Sequence, residues 1–412
     1  MAKKTSSFIL TLRYSLLQGV YWGTFGTLLA FSSLYLADQG LSYTHIGLLL
    51  ALSNIISAVL QPFIASFTDK ATHIDVRGVT LLLTLLTSLS GFVLYYVLTA
   101  DILFTIVLYL ITTSLLFTVQ PFINALGFTL NTSSASANFG VARGIGSFSY
   151  AIITYTLGTF LTHSNNIDFV VLIHAQLCII LAIVIFFFRA SPHITSITPT
   201  QQPFRKSNEN TDPPLVFIKK NKRFMIVLLG VIFLSTSHNG CLTYLAQITS
   251  FLGGSNTDYG IMIALAAALE IPCMVLFTRI MKRFSCGNML KFSSIFYILK
   301  VACYLWALAE NNVSILFVGQ FAQPFGYALL ASASVYYVDI SLSANNKMKG
   351  HAFMTTAATI GSVVGTSLSG LLLDFFGYGI MLIASMILAA IGSALLFFSI
   401  NNPKKNAELS II

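Results

Sequence analysis

Along most of its length the chain repeats one pattern, an apolar run of about twenty residues followed by a short polar break. A helix of about twenty residues crosses a hydrocarbon layer of roughly 30 Å at 1.5 Å per residue. The runs predict twelve spans, over residues 8–36, 43–68, 77–99, 102–128, 139–163, 167–189, 224–252, 258–281, 288–308, 313–340, 349–373 and 377–400. Strands of a membrane barrel would instead alternate polar and apolar residues over about ten positions, which these runs do not do. The expected fold is all-α, twelve transmembrane helices in two pseudo-symmetric six-helix bundles. The first run follows Lys3 and Lys4 as a signal peptide would, yet it continues from Phe8 to Leu36 without a small-residue cleavage site, so it is read as a retained helix.

The longest polar stretch, Ala190 to Arg223, carries Pro192, Pro199, Pro203, Pro213 and Pro214 and separates six spans from six. It reads as a cytoplasmic linker, 190–223, between bundles 1–189 and 224–412. Internal similarity supports the division. Ile46-Gly47-Leu48-Leu49-Leu50-Ala51-Leu52 resembles Tyr259-Gly260-Ile261-Met262-Ile263-Ala264-Leu265 at an offset of 213 residues. Ala142-Arg143-Gly144-Ile145-Gly146-Ser147 resembles Ala357-Ala358-Thr359-Ile360-Gly361-Ser362 at an offset of 215. Two matches at nearly one offset, with a linker between, indicate a duplicated bundle.

Composition agrees with the pattern: mean hydropathy is +0.82 and 8% of residues are charged, against about a quarter in soluble domains. The net charge of +9 raises the question of nucleic acid, and the distribution answers it. With a cytoplasmic N-terminus, Lys70, Arg77, Arg205, Lys206, Lys219, Lys220, Lys222, Arg223, Arg283, Lys347, Lys349, Lys404 and Lys405 all fall inside. The outer loops hold Asp38, Asp101, Asp168, Asp258, Glu310 and Asp374. That is the positive-inside bias of an inner-membrane protein with both termini cytoplasmic, not of a nucleic-acid partner; the expected partners are the lipid bilayer, a small solute and protons, with the chain as a monomer. Five cysteines (Cys178, Cys241, Cys273, Cys286, Cys303) show neither disulfide nor metal spacing. There is no GxxxxGK[ST] loop and no nucleophile constellation, so neither an enzyme nor a bound cofactor is expected; energy would come from a proton gradient or from the solute.

Ionisable residues well inside the spans are few: Arg143, His238, Glu270 and Lys300. Each costs several kcal/mol if it faces lipid, so an interior or cavity position is expected. Glu270, about a dozen residues into its span, either binds and releases a proton or forms a fixed ion pair with Lys300. Lys300 shares a helical face with Tyr297 and Tyr304, as a solute face or as aromatic packing around one cation. Arg143 either snorkels to the headgroups or joins Ser147 and Tyr150 on one solute-binding face. His238 lines the cavity or makes a structural hydrogen bond. The pairs Gln61-Pro62, Gln120-Pro121 and Gln323-Pro324 fall inside spans, where proline frees a carbonyl and an amide can supply a replacement donor. Kinking accounts for Gln61. Gln120 with Asn124, and Gln320 with Gln323, put polar faces toward a cavity, to which the first span adds Gln18, Tyr21 and Trp22. Together these describe a polar, aromatic pocket.

Phe139-Gly140-Val141-Ala142-Arg143, then Gly146 and Tyr150, resemble the fifth helix of the lactose permease and phenylpropionate permease-like branch of the major facilitator superfamily. Gln61-Pro62 followed by Asp69-Lys70, Glu270, and the Gln320-x-x-Gln323 stretch extend the resemblance loosely over all twelve spans. It implies alternating access driven by protons, with Arg143 and Glu270 as sugar-binding positions, Tyr150 where a stacking tryptophan stands, Lys300 in a proton-coupling position and Asp69-Lys70 as the conformational motif. The chain departs from the pattern where Asn124 replaces a sugar-binding glutamate, where Gln320 and Gln323 replace a histidine and a proton-carrying glutamate, and where Ala65 replaces a motif glycine. The expected function is proton-coupled symport of a small polar solute (sugar, nucleoside or organic acid) through Arg143, Tyr150, Asn124, Gln120, Trp22, His238, Gln320 and Gln323, coupled by Glu270 and Lys300. An exporter of the same fold, or a non-transporting solute sensor, are the other readings.

Overall fold

The structure, a computed structural model, describes residues 7–70, 75–96, 102–130, 137–188 and 213–400. All regular secondary structure among them is helical. In order the helices are α1 (Ser7–Ala30), α2 (Ser32–Asp38), α3 (Tyr43–Lys70), α4 (Val76–Tyr96), α5 (Ile102–Phe128), α6 (Phe139–Ser164), α7 (Phe169–Phe187), α8 (Pro214–Lys220), α9 (Lys222–Thr243), α10 (Leu245–Phe251), α11 (Asn256–Met281), α12 (Cys286–Ala309), α13 (Ser314–Gln320), α14 (Leu329–Ser341) and α15 (Lys347–Ser399). The twelve expected spans map onto them, with four local differences. Spans 8–36 and 224–252 are each broken once, span 313–340 contains a π turn, and the last two spans run as one helix. The end of the expected linker is also helical, as α8.

Each break has a local cause. Phe31 separates α1 from α2 with φ −99 and ψ 9, and Tyr244 separates α9 from α10 with φ −105 and ψ 13. Both residues sit in the sparsely used bridge region between helix and strand, and both rings are fully buried. They stand 213 residues apart, the offset read from the sequence, and Gly40 and Gly253, both at positive φ, repeat it again. Duplication thus extends from sequence to backbone kinks. In α15, Gly377 takes φ 77 and ψ −178, a region open essentially to glycine alone, and so turns one apolar run into two spans. Between α13 and α14 the backbone widens into a π turn over Pro324–Ala328. Proline has no N–H to continue the ladder, and single π turns commonly sit at functional positions.

By packing, the chain falls into two compact units, Met1–Ser196 with Thr249–Ala268, and Ile197–Ile248 with Leu269–Ile412. The division passes through α11, so its first half belongs to the first unit and its second half to the second.

In the first unit a polar seam joins α3 to α5. The Ser53 and Thr113 hydroxyls share a hydrogen bond of 2.7 Å, and Thr118 donates to Ser57 Oγ at 3.2 Å. Gln61 Nε2 donates to Ser57 Oγ at 3.0 Å and to the Phe117 carbonyl at 3.1 Å. Phe117 lies four residues before Pro121, so its carbonyl is the one that proline deprives of a helical partner. The amide of Gln61 replaces that partner from a neighbouring helix, a role beyond the kink expected at Gln61-Pro62. In the second unit α9 packs closely on α15, where a side chain at Gly365 would run into the Thr236 backbone of α9. Close approach through small residues substitutes for hydrophobic driving force inside lipid.

Candidate functional site

Each unit holds a cluster of the polar residues singled out from the sequence. In the first, α6 is started by Asn138, whose side chain accepts from Val141 N at 3.0 Å, and this sets Arg143 at the second turn. The Arg143 guanidinium does not run outward. It lies 3.8 Å from the centre of the Trp22 ring, and its Nη1 donates to Ser147 Oγ at 2.9 Å. Trp22 rests over Gly146, where a β-carbon would meet the indole, so the small residue on α6 lets the ring of α1 approach. Trp22 Nε1 donates to Gln18 Oε1 at 3.0 Å, and Gln18 Nε2 donates to Asn124 Oδ1 at 2.9 Å and to the Tyr14 hydroxyl at 3.0 Å.

Three helices, α1, α5 and α6, therefore present one connected row: Asn124, Gln18, Trp22, Arg143, Ser147. Arg143, Trp22 and Asn124 are half-buried and Gln18 is fully buried. The edge of a guanidinium suits a carboxylate, a carbonyl or paired hydroxyls, and its face suits an aromatic ring such as the Trp22 indole. The Tyr150 ring, two turns after Arg143 on α6, lies against Gly26 of α1. Gln120, one turn before Asn124 on α5, is half-buried.

In the second unit the chemistry gathers on α9, α11, α12 and the π turn. Lys300 is 6% exposed, and its Nζ donates to Gln323 Oε1 at 2.5 Å. Gln323 Nε2 in turn donates to Glu270 Oε1 at 2.7 Å. One neutral amide thus links the cation to the acid with its dipole aligned to both, oxygen toward Lys300 and N–H toward Glu270. Gln320 is turned aside from this chain: its Nε2 donates to the Tyr304 hydroxyl at 2.8 Å and to the Leu316 carbonyl at 3.2 Å. Tyr304 also stands 5.8 Å from Lys300 Nζ. His238 stacks on Tyr327 at 5.0 Å and 18° and meets Tyr297 edge-on at 5.6 Å. His238, Tyr297, Tyr327, Lys300 and Gln323, with Ser237, Cys241 and Phe296, line a small cleft with room for little more than a water molecule.

Of the residues singled out from the sequence, Arg143, Trp22 and Asn124 come together in one unit, and Glu270, Lys300, Gln323 and His238 in the other. Asp69 and Lys70 close α3, and their side chains lie outside the described residues. Sequence reasoning passed over Tyr14, Ser237 and Tyr327. Tyr327 follows Gln323 by four residues and Gln320 by seven, a helical-face spacing that could have found it; Ser237 carried no such signal.

Known proteins can be set beside this geometry. A protein of Bacillus subtilis (strain 168) described as the uncharacterized transporter YwbF is 22% identical over 374 residues, covering 88% of this chain and 86% of its own length. Among solved structures, the nucleoside transporter NupG superposes with a TM-score of 0.76 at 14% identity, covering 95% of this chain and 98% of its own. A bacterial homologue of the iron transporter ferroportin in an inward-facing state gives 0.73 at 12% identity, covering 96% and 99%. These relatives are transporters by name and none is an enzyme, and the structural likenesses establish a multi-pass membrane fold. Residues 11–384 match the MFS_1 like family, and the chain belongs to that family of membrane proteins.

Proposed function

We propose that the chain is a proton-coupled symporter of a small polar solute, working by alternating access in the inner membrane as a monomer with both termini cytoplasmic and without a cofactor. The observation that carries the proposal is the chain Lys300–Gln323–Glu270 inside the second unit. An acid inside a membrane protein is kept for a task, because a charge there is costly unless paired. Glu270 takes the proton, and its state is felt by Lys300 through one amide. Arg143 over Trp22, with Asn124, gives the solute a donor-rich face in the first unit. Coupling follows if solute and proton each bind one conformation preferentially, since a ligand shifts an equilibrium only by its difference in affinity.

Proteoliposomes carrying a pH dye inside test this with uridine, lactose and benzoate, one for each solute class that the fold and the polar clusters suggest. Adding the transported solute outside should acidify the lumen. Glu270→Gln should abolish the proton movement while leaving solute exchange in place. Uphill accumulation by Glu270→Gln would refute the assignment.

A further inference from the structure

The short helix at the end of the linker, α8, carries a pattern that a linker in water would not need. A helix lying in water against a bundle buries one apolar stripe and turns polar side chains outward. In α8 the buried stripe is present. Phe217 is fully buried, its ring parallel to that of Phe353 on α15 at 5.4 Å and edge-on to Phe224 on α9 at 6.2 Å. The side chains turned away from Phe217 are apolar as well: Leu215 is 74% exposed, Ile218 39% and Val216 38%. At 3.6 residues per turn Leu215 stands almost opposite Phe217. Asn221, at φ −112 and ψ 42, breaks the backbone between α8 and α9, and its Nδ2 donates to the Phe217 carbonyl at 3.0 Å. This holds α8 as a separate helix at the entrance to the seventh span. Basic residues surround the exposed face. Lys219, Lys220, Lys222 and Arg223 are exposed at its end, and Lys349 reaches it from α15, its Nζ 5.7 Å from the centre of the Phe217 ring.

Exposed apolar residues among lysines, on a helix that leads into a span, are the composition of a segment lying between lipid tails and headgroups. The apolar side chains enter the tails, and the long lysine stems let the ammonium groups reach phosphates. A zwitterionic headgroup is neutral as a whole, whereas an anionic one leaves a negative charge for the lysines to meet. We propose that α8 is a seat for anionic lipid, with Leu215 and Ile218 among the acyl chains and Lys219, Lys220 and Lys222 on the headgroup phosphates. The seat is independent of the solute and of proton coupling. Because Phe217 is wedged against both α9 and α15, lipid held on α8 braces the entrances of the seventh and eleventh spans.

The test uses the full chain in phosphatidylcholine vesicles, with Trp22→Phe and Trp306→Phe removing both native tryptophans and Leu215→Trp placing a reporter on the exposed face. Brominated lipid quenches tryptophan only at contact. At equal mole fraction, brominated phosphatidylglycerol should quench the reporter at least about twofold more than brominated phosphatidylcholine, since each lysine near the surface favours anionic lipid. In 1 M salt, where the Debye length falls to about 3 Å, at least half of that excess should disappear. Replacing Lys219, Lys220 and Lys222 together by glutamine should abolish the excess and leave quenching by brominated phosphatidylcholine as it was. Equal quenching by the two lipids before that replacement, or an excess that persists after it, overturns the proposal. Quenching by neither lipid also overturns it, because protein then covers the face. Should the glutamine variant fail to fold, the salt dependence decides in its place, and an excess undiminished in 1 M salt refutes the seat.

Discussion

Replacing Gln61 with leucine removes the donor that satisfies the Phe117 carbonyl and the bond to Ser57. Hydrogen bonds between membrane helices contribute about 0.6 kcal/mol on average and up to about 1.7. A carbonyl left without a donor in a buried place costs about 1–3 kcal/mol. Gln61 is half-buried, which puts the expected loss at the lower part of that range, about 1–2 kcal/mol, and roughly a five- to thirtyfold shift in the folding equilibrium. Unfolding in mixed micelles with increasing dodecyl sulfate measures it. The reasoning is specific to the proline, so the decisive comparison is Gln61→Leu in a Pro121→Ala background. There the restored backbone N–H at position 121 can serve Phe117, and losing Gln61 should cost about half as much or less. Well-separated sites add to within about 0.3–0.5 kcal/mol. If Gln61→Leu costs the same in both backgrounds, the amide does not serve the carbonyl freed by Pro121.

Two further outcomes follow from the geometry. With Trp306→Phe, Trp22 is the remaining tryptophan of the two, and a solute that draws the Arg143 guanidinium off its ring should change Trp22 emission; Arg143→Leu should abolish that response, and an unchanged response would make the α6 face structural. Asp168 stands in the loop before α7, outside the helix, and burial, then the neighbouring Asp38 carboxylate, raise its pKa against a lowering by the Gln39 hydrogen bond. A carboxyl whose folded-state pKa is raised favours folding when protonated, so its contribution is present at acid pH and is lost as pH rises through the folded value. Asp168→Asn should therefore flatten the dependence of melting temperature on pH across the acid range, and an unaltered slope would show that Asp168 does not contribute to it.

Much of the architecture was legible because the bilayer imposes it. Runs of about twenty apolar residues can cross lipid only as helices, and the spans follow from that; the 213-residue offset was legible separately, in the internal similarity of the two halves. The breaks at Phe31 and Tyr244 were not legible, since an aromatic residue in the bridge region has no compositional mark. The π turn was half-legible: Pro324 announced a disturbance, though not its form. Among the polar residues, Arg143 and Ser147 were linked by spacing alone, because i and i+4 share a helical face. The indole beneath Arg143 was not, because Trp22 arrives from another helix 121 residues earlier. The linking role of Gln323 was hidden for the same reason, as its two partners come from α11 and α12.

The duplicated backbone carries unequal chemistry, and one position shows what the difference does. At the 213-residue offset Glu270 corresponds to Ser57. Ser57 joins the second span to the fourth, accepting from Gln61 and Thr118; Glu270 joins the eighth span to the tenth, accepting from Gln323. The two halves thus fasten the corresponding pair of helices from the same position of the first helix of the pair, one with a hydroxyl and the other with an acid. A serine joint has a single state between pH 4 and 9, since its hydroxyl does not titrate there. A glutamate joint has two, because its acceptor oxygens become an acceptor and a donor on protonation. Gln323 faces Glu270 through its N–H, a bond that the carbonyl oxygen of a protonated carboxyl can also accept, and it lies one residue before the π turn, where the helix ladder is already interrupted. In the second half the fastening of two helices thus rests on an ionisable group, and under the proton-coupled reading proposed above a proton arriving at Glu270 acts directly on how those helices are held together.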